Sequence, residues 1–463
     1  MDKYDLIIIG AGPGGYVSAI RAAQLGMKAL VIEKSKIGGT CLNRGCIPTK
    51  ALLHSSHLYA ETADGGKSGI HAEGLSYNMD EILERKTQVS TKLTDGIKGL
   101  FKANKIDCIE GYAQVLEPGK VSAGGEVYEA DKILIATGLI PAVPPFPGHD
   151  LPGVVTSNDI LEGPVINPKS ITVIGGSVIG VELATFYAQL GIKVTVIEAL
   201  DQLLTIVDKE FGAKLRNVLK KEGVDVFVKS AVQSIEKTEE GLTCFFETKG
   251  KEQRVTSEYV LVATGRKPDM GGLFAEGLEP EMNGRYIKVN ERFETSIPGV
   301  YAIGDIIGGI QLAHVSAAEG ASCIEMMAGA EPEVDLAVVP SCIYSDPEIA
   351  TVGMTAEQAA EAGYEVLTGK YLMPGNGKSI IEFQDTGFIK VIADAASGRI
   401  LGAHLMCQRA SDIVGEFGTA IANRLTYRDM LKAMKPHPSF AEGVQEALEA
   451  LEGRSIHSAP VRK

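Results

Sequence analysis

Two segments of this chain repeat one pattern of apolar and polar positions. The first opens with Tyr4-Asp5-Leu6-Ile7-Ile8-Ile9, breaks into Gly10-Ala11-Gly12-Pro13-Gly14-Gly15, runs on to Ala23-Gln24-Leu25-Gly26 and closes at Glu33. A short apolar run stopped by glycines predicts a buried strand, and the segment as a whole predicts strand, turn, helix and strand. The second segment sets Gly175-Gly176-Ser177-Val178-Ile179-Gly180, Ala188-Gln189-Leu190-Gly191 and Glu198 at a constant offset of 165 positions from the first. Each unit ends alike, in Ile133-Leu134-Ile135-Ala136-Thr137-Gly138 and Val260-Leu261-Val262-Ala263-Thr264-Gly265.

A glycine turn between strand and helix lets the backbone approach a pyrophosphate, the helix start supplies oriented N–H groups, and the terminal acid takes a ribose hydroxyl. Gly10, Gly12, Gly14, Gly15 and Glu33 fit this in the first unit; Gly175, Ser177, Gly180 and Glu198 fit it in the second. The chain therefore carries two dinucleotide folds.

The Pro-rich passage Pro141 to Pro147 marks the crossing between the units. A connecting region after Gly265 holds the short apolar strand Val300 to Ile303, ending in Gly304-Asp305. From Val338 the pattern changes to strands with polar breaks and then helices, which predicts a separate α+β domain. The expected fold is α/β: a dinucleotide-binding domain over residues 1–145, a second over 146–268, a central domain over 269–337 that completes the first site, and an interface domain over 338–463.

From terminal acid to Ala-Thr-Gly the first unit takes 103 residues and the second 65. Cys41 and Cys46 open that longer interval, so the dithiol belongs to the first nucleotide's site. On a regular helix these positions stand about 8.7 Å apart at Cα, beyond the roughly 4.4–6.8 Å a disulfide tolerates. Gly45 offers the backbone permissiveness for a distorted turn, and Pro48 a break in the hydrogen-bond ladder. The spacing suits a switchable bond. The remaining cysteines (Cys108, Cys244, Cys323, Cys342, Cys407) lack metal-ligand spacing and read as packing; His54 and His57 read as a helix face, not a metal pair.

The 463 residues carry a formal net charge of -14, which argues against nucleic acid or an anionic membrane as the main partner. No apolar run approaches the roughly 18 residues of a membrane span. A cytoplasmic protein is expected, and a disulfide there is usually catalytic or redox-sensing.

A nicotinamide exchanges hydride and a disulfide exchanges sulfur nucleophiles, so the two need flavin between them. FAD is expected in the first unit and a nicotinamide nucleotide in the second. Glu198 pairs with the free 2′-hydroxyl of NAD, and Ala199 to Thr205 contain no Arg or Lys for the phosphate of NADP.

From Tyr4 to about Glu446 the chain resembles the pyridine nucleotide-disulfide oxidoreductases, and within them the dihydrolipoamide dehydrogenase branch. The Cys41–Cys46 motif and His437-Pro438 carry that resemblance. It implies a homodimer that oxidises dihydrolipoamide on a lipoyl-bearing protein, as part of a 2-oxoacid dehydrogenase or glycine cleavage complex, with FAD and NAD.

By residue, it implies Cys41 as the interchange thiol and Cys46 as the thiol against the flavin. Lys50, paired with Glu182, would lie at the flavin's reactive end, and Thr40, Ala113, Thr137, Gly138, Asp305, Ala313 and His314 would contribute to the FAD site. Gly265 would join the NAD site. His437, oriented by Glu442, would be the acid–base group, contributed to the partner subunit's active site. Two positions depart from the pattern: Ser177 replaces a glycine, which bears on NAD affinity, and Lys435 replaces a histidine, which bears on the pH optimum.

Overall fold

In the computed structural model, which describes residues 3–459, three sheets organise the chain. The first is built on parallel strands in the order Asp107–Glu110, Ala29–Glu33, Tyr4–Ile9, Glu126–Ile135 and Val300–Ala302. Leu6, Ile7 and Ile8 are fully buried, because such a sheet is covered on both faces. Val300–Ala302 lies beside Ile133–Ile135 in parallel register, so a strand from far along the chain completes this sheet. The two helices that follow sheet strands, Pro13–Gln24 and Ala313–Met327, pack together on one face.

The second sheet is parallel throughout: Asp225–Phe227, Lys193–Ile197, Ser170–Ile174, Tyr259–Val262 and Val154–Val155. A three-stranded antiparallel sheet, Ser230–Thr238, Gly241–Thr248 and Lys251–Ser257, sits beside it. The chain crosses between the units twice, and the crossings run side by side: Leu139–Pro141 pairs antiparallel with Arg266–Pro268.

The third sheet is antiparallel, in the order Ser341–Ile343, Ile349–Gly353, Ile400–Met406, Phe388–Asp394 and Val366–Leu372. Helices Ala410–Ala422 and Glu442–Ala450 pack on it. It is fastened to the second unit by the Phe211 and Phe388 rings, 4.5 Å apart at their centroids, and by Lys390 Nζ 2.6 Å from Asp208 Oδ2. No helix among the described residues is long and apolar enough to cross a membrane.

Candidate active site

The two glycine turns are copies at atomic detail. Gly10 and Gly175 have φ of +104° and +110°, and a Cβ at either would stand 2.5 Å from a carbonyl oxygen, that of Ala136 or Ala263. Only glycine fits. Below the turns, Glu33 Oε2 accepts from Ala11 N at 2.7 Å and Glu198 Oε2 from Gly176 N at 2.5 Å, again equivalent positions.

The helix starts differ. Gly12 caps Pro13–Gln24 without a side-chain bond, leaving its first amides open. Ser177 Oγ accepts from Gly180 N at 3.3 Å and donates to Ala263 O at 2.8 Å, so the serine occupies an amide that a glycine would leave free. Its φ of −70° is ordinary for a helix cap and carries no strain.

The dithiol lies across a break between two helices, Gly39–Arg44 and Cys46–Ala63, with Gly45 at the junction. A Cβ on Gly45 would stand 2.9 Å from the Thr40 carbonyl oxygen, which explains the glycine. Pro48 has a different role from the ladder break its sequence position suggests. It sits in the first turn of the second helix, where no N–H is needed.

Cys41 and Cys46 are free thiols joined by a hydrogen bond. That proton lowers the Cys46 thiol to about 7, against burial and with help from Lys50. The same hydrogen bond, with burial, pushes the Cys41 thiol well above its ordinary range. One proton is shared, and it belongs to Cys41.

Lys50 follows Cys46 by one helical turn. Its Nζ donates to both Glu182 oxygens at 2.9 and 2.7 Å and lies 4.5 Å from the Tyr344 ring centroid. Glu182, 3% exposed on helix Val178–Gln189, also accepts from Tyr344 N at 3.0 Å. All three sheets' domains thus meet at one buried carboxylate.

The first unit's other candidates line the same region. Thr137 Oγ1 is buried without a hydrogen-bond partner among the described residues, as expected of an atom that faces a bound group. Gly138 follows it with φ +65°. Burial pushes the Asp305 carboxyl up, opposed by Arg266. An open helix start, a threonine hydroxyl with no partner among the described residues and a half-buried acid suit a dinucleotide with a polar chain.

Thr40 lies within the first dithiol helix, Ala113 opens strand Ala113–Glu117 and Ala113-to-Ala123 pairing follows. Ala313 begins its helix, and His314 Nε2 is 2.8 Å from Pro340 O. Gly265 lies three residues past the end of strand Tyr259–Val262 and has φ +134°.

His437 Nδ1 lies 2.8 Å from Glu442 Oε1, and Ser439 N donates to Glu442 Oε2 at 2.9 Å. Glu442 begins helix Glu442–Ala450; burial pushes its carboxyl up, but His437 and the Ser439 amide outweigh that and hold it below its ordinary value. The His437 side chain is 79% exposed, and among the described residues no bond links it to the dithiol of its own chain. Lys435 is buried and paired with Glu416, so its charge is matched rather than turned on His437.

Sequence reasoning missed Arg266, a half-buried residue whose Nη2 donates to Leu139 O at 2.6 Å and whose charge reaches Asp305 and Cys46. Its position directly after Gly265 was the available signal. It also missed Tyr16, whose phenol is pushed up by burial and by the adjacent Cys41. The packing reading of the other cysteines holds for Cys244, Cys323 and Cys407; Cys108 is exposed on the edge strand of its sheet, and Cys342 is half-buried near Lys50. His57 is held between Glu61 and Asp346, each at 3.2 Å.

Residues 4–320 match the family model described as pyridine nucleotide-disulphide oxidoreductase, and residues 339–448 match its dimerisation domain. A dihydrolipoyl dehydrogenase of Thermus scotoductus is 39% identical, with 99% of each chain covered. One from Geobacillus stearothermophilus is 37% identical over 98% of this chain and 97% of the relative. Among solved structures, an HOCl-induced flavoprotein disulfide reductase of Escherichia coli superposes with a TM-score of 0.86 at 27% identity, covering 96% of this chain and 99% of that one.

Proposed function

The chain belongs to the pyridine nucleotide-disulphide oxidoreductase family, and from that membership we propose that it is a dihydrolipoyl dehydrogenase using FAD and NAD. Its substrate is the dihydrolipoyl group of a carrier protein in a 2-oxoacid dehydrogenase or glycine cleavage complex, and it works as a homodimer in a compartment that keeps thiols reduced. The domain divisions at residues 145, 268 and 337 belong to the same reading.

The observation that carries it is the Cys41–Cys46 pair beside the Lys50–Glu182 ion pair, between two glycine turns of one design. Gly10, Gly12, Thr137, Asp305 and Arg266 would hold FAD; Gly175, Gly180 and Glu198 would hold NAD. Bound flavin supplies the electron transfer between sulfur and nicotinamide.

The chain's own residues handle the sulfur and the protons. His437 of the opposite subunit, its Nδ1 fixed by Glu442, leaves Nε2 to accept a proton from the substrate thiol, because the thiolate is the nucleophile. That thiolate attacks Cys41. Cys46 departs as the better leaving group, since the Lys50 cation favours its thiolate. Glu182 in turn holds the Lys50 ammonium in place.

Steady-state rates with dihydrolipoamide and with low-molecular-weight dithiols, each against NAD and NADP, test this reading. Dihydrolipoamide with NAD should be preferred. A preference for NADP, or for a small dithiol, would move the protein to another disulfide reductase of the family.

A further inference from the structure

A second imidazole is held on the face that carries His437. Helix Glu442–Ala450 presents Glu442 and Glu446 one turn apart, and residues so spaced are neighbours on a helix surface. Glu442 Oε1 lies 2.8 Å from His437 Nδ1, and Glu446 Oε1 lies 2.7 Å from His457 Nδ1. The other Glu446 oxygen accepts from Ser455 Oγ at 2.6 Å, Ile456 N at 3.0 Å and His457 N at 3.1 Å. Glu446 itself is 7% exposed.

A carboxylate fixed at both oxygens makes a rigid mount for the ring bonded to it. The two dyads share one build: Nδ1 on a glutamate, Nε2 without a partner among the described residues, and an exposed side chain, 79% for His437 and 68% for His457. The charged and titratable groups facing His457 are Glu446, Glu442 and Glu449, with Tyr371 of strand Val366–Leu372 behind the first two. Lys435 is turned to Glu416 and takes no part.

We infer that His457 is a second proton acceptor for the dithiol substrate, acting beside His437; this rests on the dihydrolipoyl reading above. Oxidation of a dithiol to a cyclic disulfide releases two protons, and one imidazole takes one. His437 Nε2 accepts the first, the substrate thiolate attacks Cys41 Sγ, the Cys41–Cys46 bond breaks, and Cys46 leaves with the electron pair. The second substrate thiol passes its proton to His457 Nε2. Its thiolate attacks the substrate sulfur of the mixed disulfide, and Cys41 leaves with the electron pair and takes a proton back from one imidazole. The substrate has lost two electrons and two protons, the cysteine pair has gained the electrons and one proton, and one imidazole keeps the other. The hydrogen bond to Glu446 raises the His457 pKa, so it is a proton acceptor of ample strength.

The test is the pH dependence of kcat/KM for dihydrolipoamide in the intact flavoprotein, between about pH 5.5 and 8.5, for the wild type, His457→Asn and His457→Gln. Asparagine keeps an amide donor where Nδ1 stands and so keeps the tie to Glu446, but it cannot accept the proton; glutamine loses the tie as well. The wild type should show a two-proton acid limb, and both variants a one-proton limb with at least about tenfold lower rates at pH 7. A His457→Asn enzyme with the wild-type rate and limb would show a merely structural tie and overturn the inference, as would a one-proton limb in the wild type. Flavin content verifies folding, and if His457→Gln loses flavin, His457→Asn decides. A wild type that oxidises no dihydrolipoamide at any pH overturns the functional reading, and the inference with it.

Discussion

Lys50 and Glu182, 132 residues apart, meet with Nζ 2.7 and 2.9 Å from the two carboxylate oxygens, joining the dithiol helix to the second unit's glycine-turn helix. The pair acts on Cys46 with opposite signs: the ammonium lowers its thiol and the carboxylate raises it. Lys50→Met should therefore move the thiolate titration of the reduced enzyme to higher pH, by about one pH unit, and Glu182→Gln should move it lower. Absorbance of the thiolate against flavin reads both. Shifts in the same direction would mean that the pair serves packing alone.

His437→Gln removes the imidazole but not the dithiol. Dihydrolipoamide oxidation should fall by about 10²- to 10⁴-fold, while NADH still reduces an artificial dye, which needs no thiol base. Parallel loss of both activities would point to misfolding.

Lys390 and Asp208 are 12% and 6% exposed and lie between the second unit and the interface domain. Lys390→Met leaves the Asp208 charge buried and unpaired and should cost about 3 kcal/mol in urea unfolding. Despite burial, which pushes it up, the Lys390 hydrogen bond and the Glu210 amide hold the Asp208 carboxyl below its ordinary value. A group lowered on folding stabilises above its unfolded pKa and stops doing so as pH falls through the folded one. The variant's deficit should be full at pH 7 and narrow below about pH 4.

Ser177→Gly frees the Gly180 amide for a phosphate oxygen. One hydrogen bond is worth about 1 kcal/mol, so KM for NAD should fall by roughly fivefold, with stability down by only a few tenths of a kcal/mol. An unchanged KM would mean that the cap opens freely for the nucleotide.

What could be read from the chain was local. The glycine turns, their acids and the dithiol sit within short windows, and spacing alone places them; the pairing of His437 with Glu442 came from the family resemblance. The 165-position offset even carries over to the Ala11 and Gly176 amides held by Glu33 and Glu198. What stayed hidden was set by distant partners. Val300–Ala302 joins a sheet whose neighbouring strand ends 165 positions earlier, at Ile135. Tyr344 reaches Glu182, Lys390 reaches Asp208, and Arg266 reaches Asp305 only after the sheets assemble. Pro48 looked like a break because its place within the helix depends on where Gly45 ends the preceding one.

The central claim is that Cys46 stands as a thiolate against bound flavin, and anaerobic titration of the purified protein with NADH tests it most directly. The yellow protein should turn red through long-wavelength charge-transfer absorption that fades as pH falls through about 7 and is missing in Cys46→Ser, a variant that keeps its flavin but makes no NADH from dihydrolipoamide. Bleaching of the wild type at pH 8 without that absorption, or a protein that binds no flavin, would contradict the account.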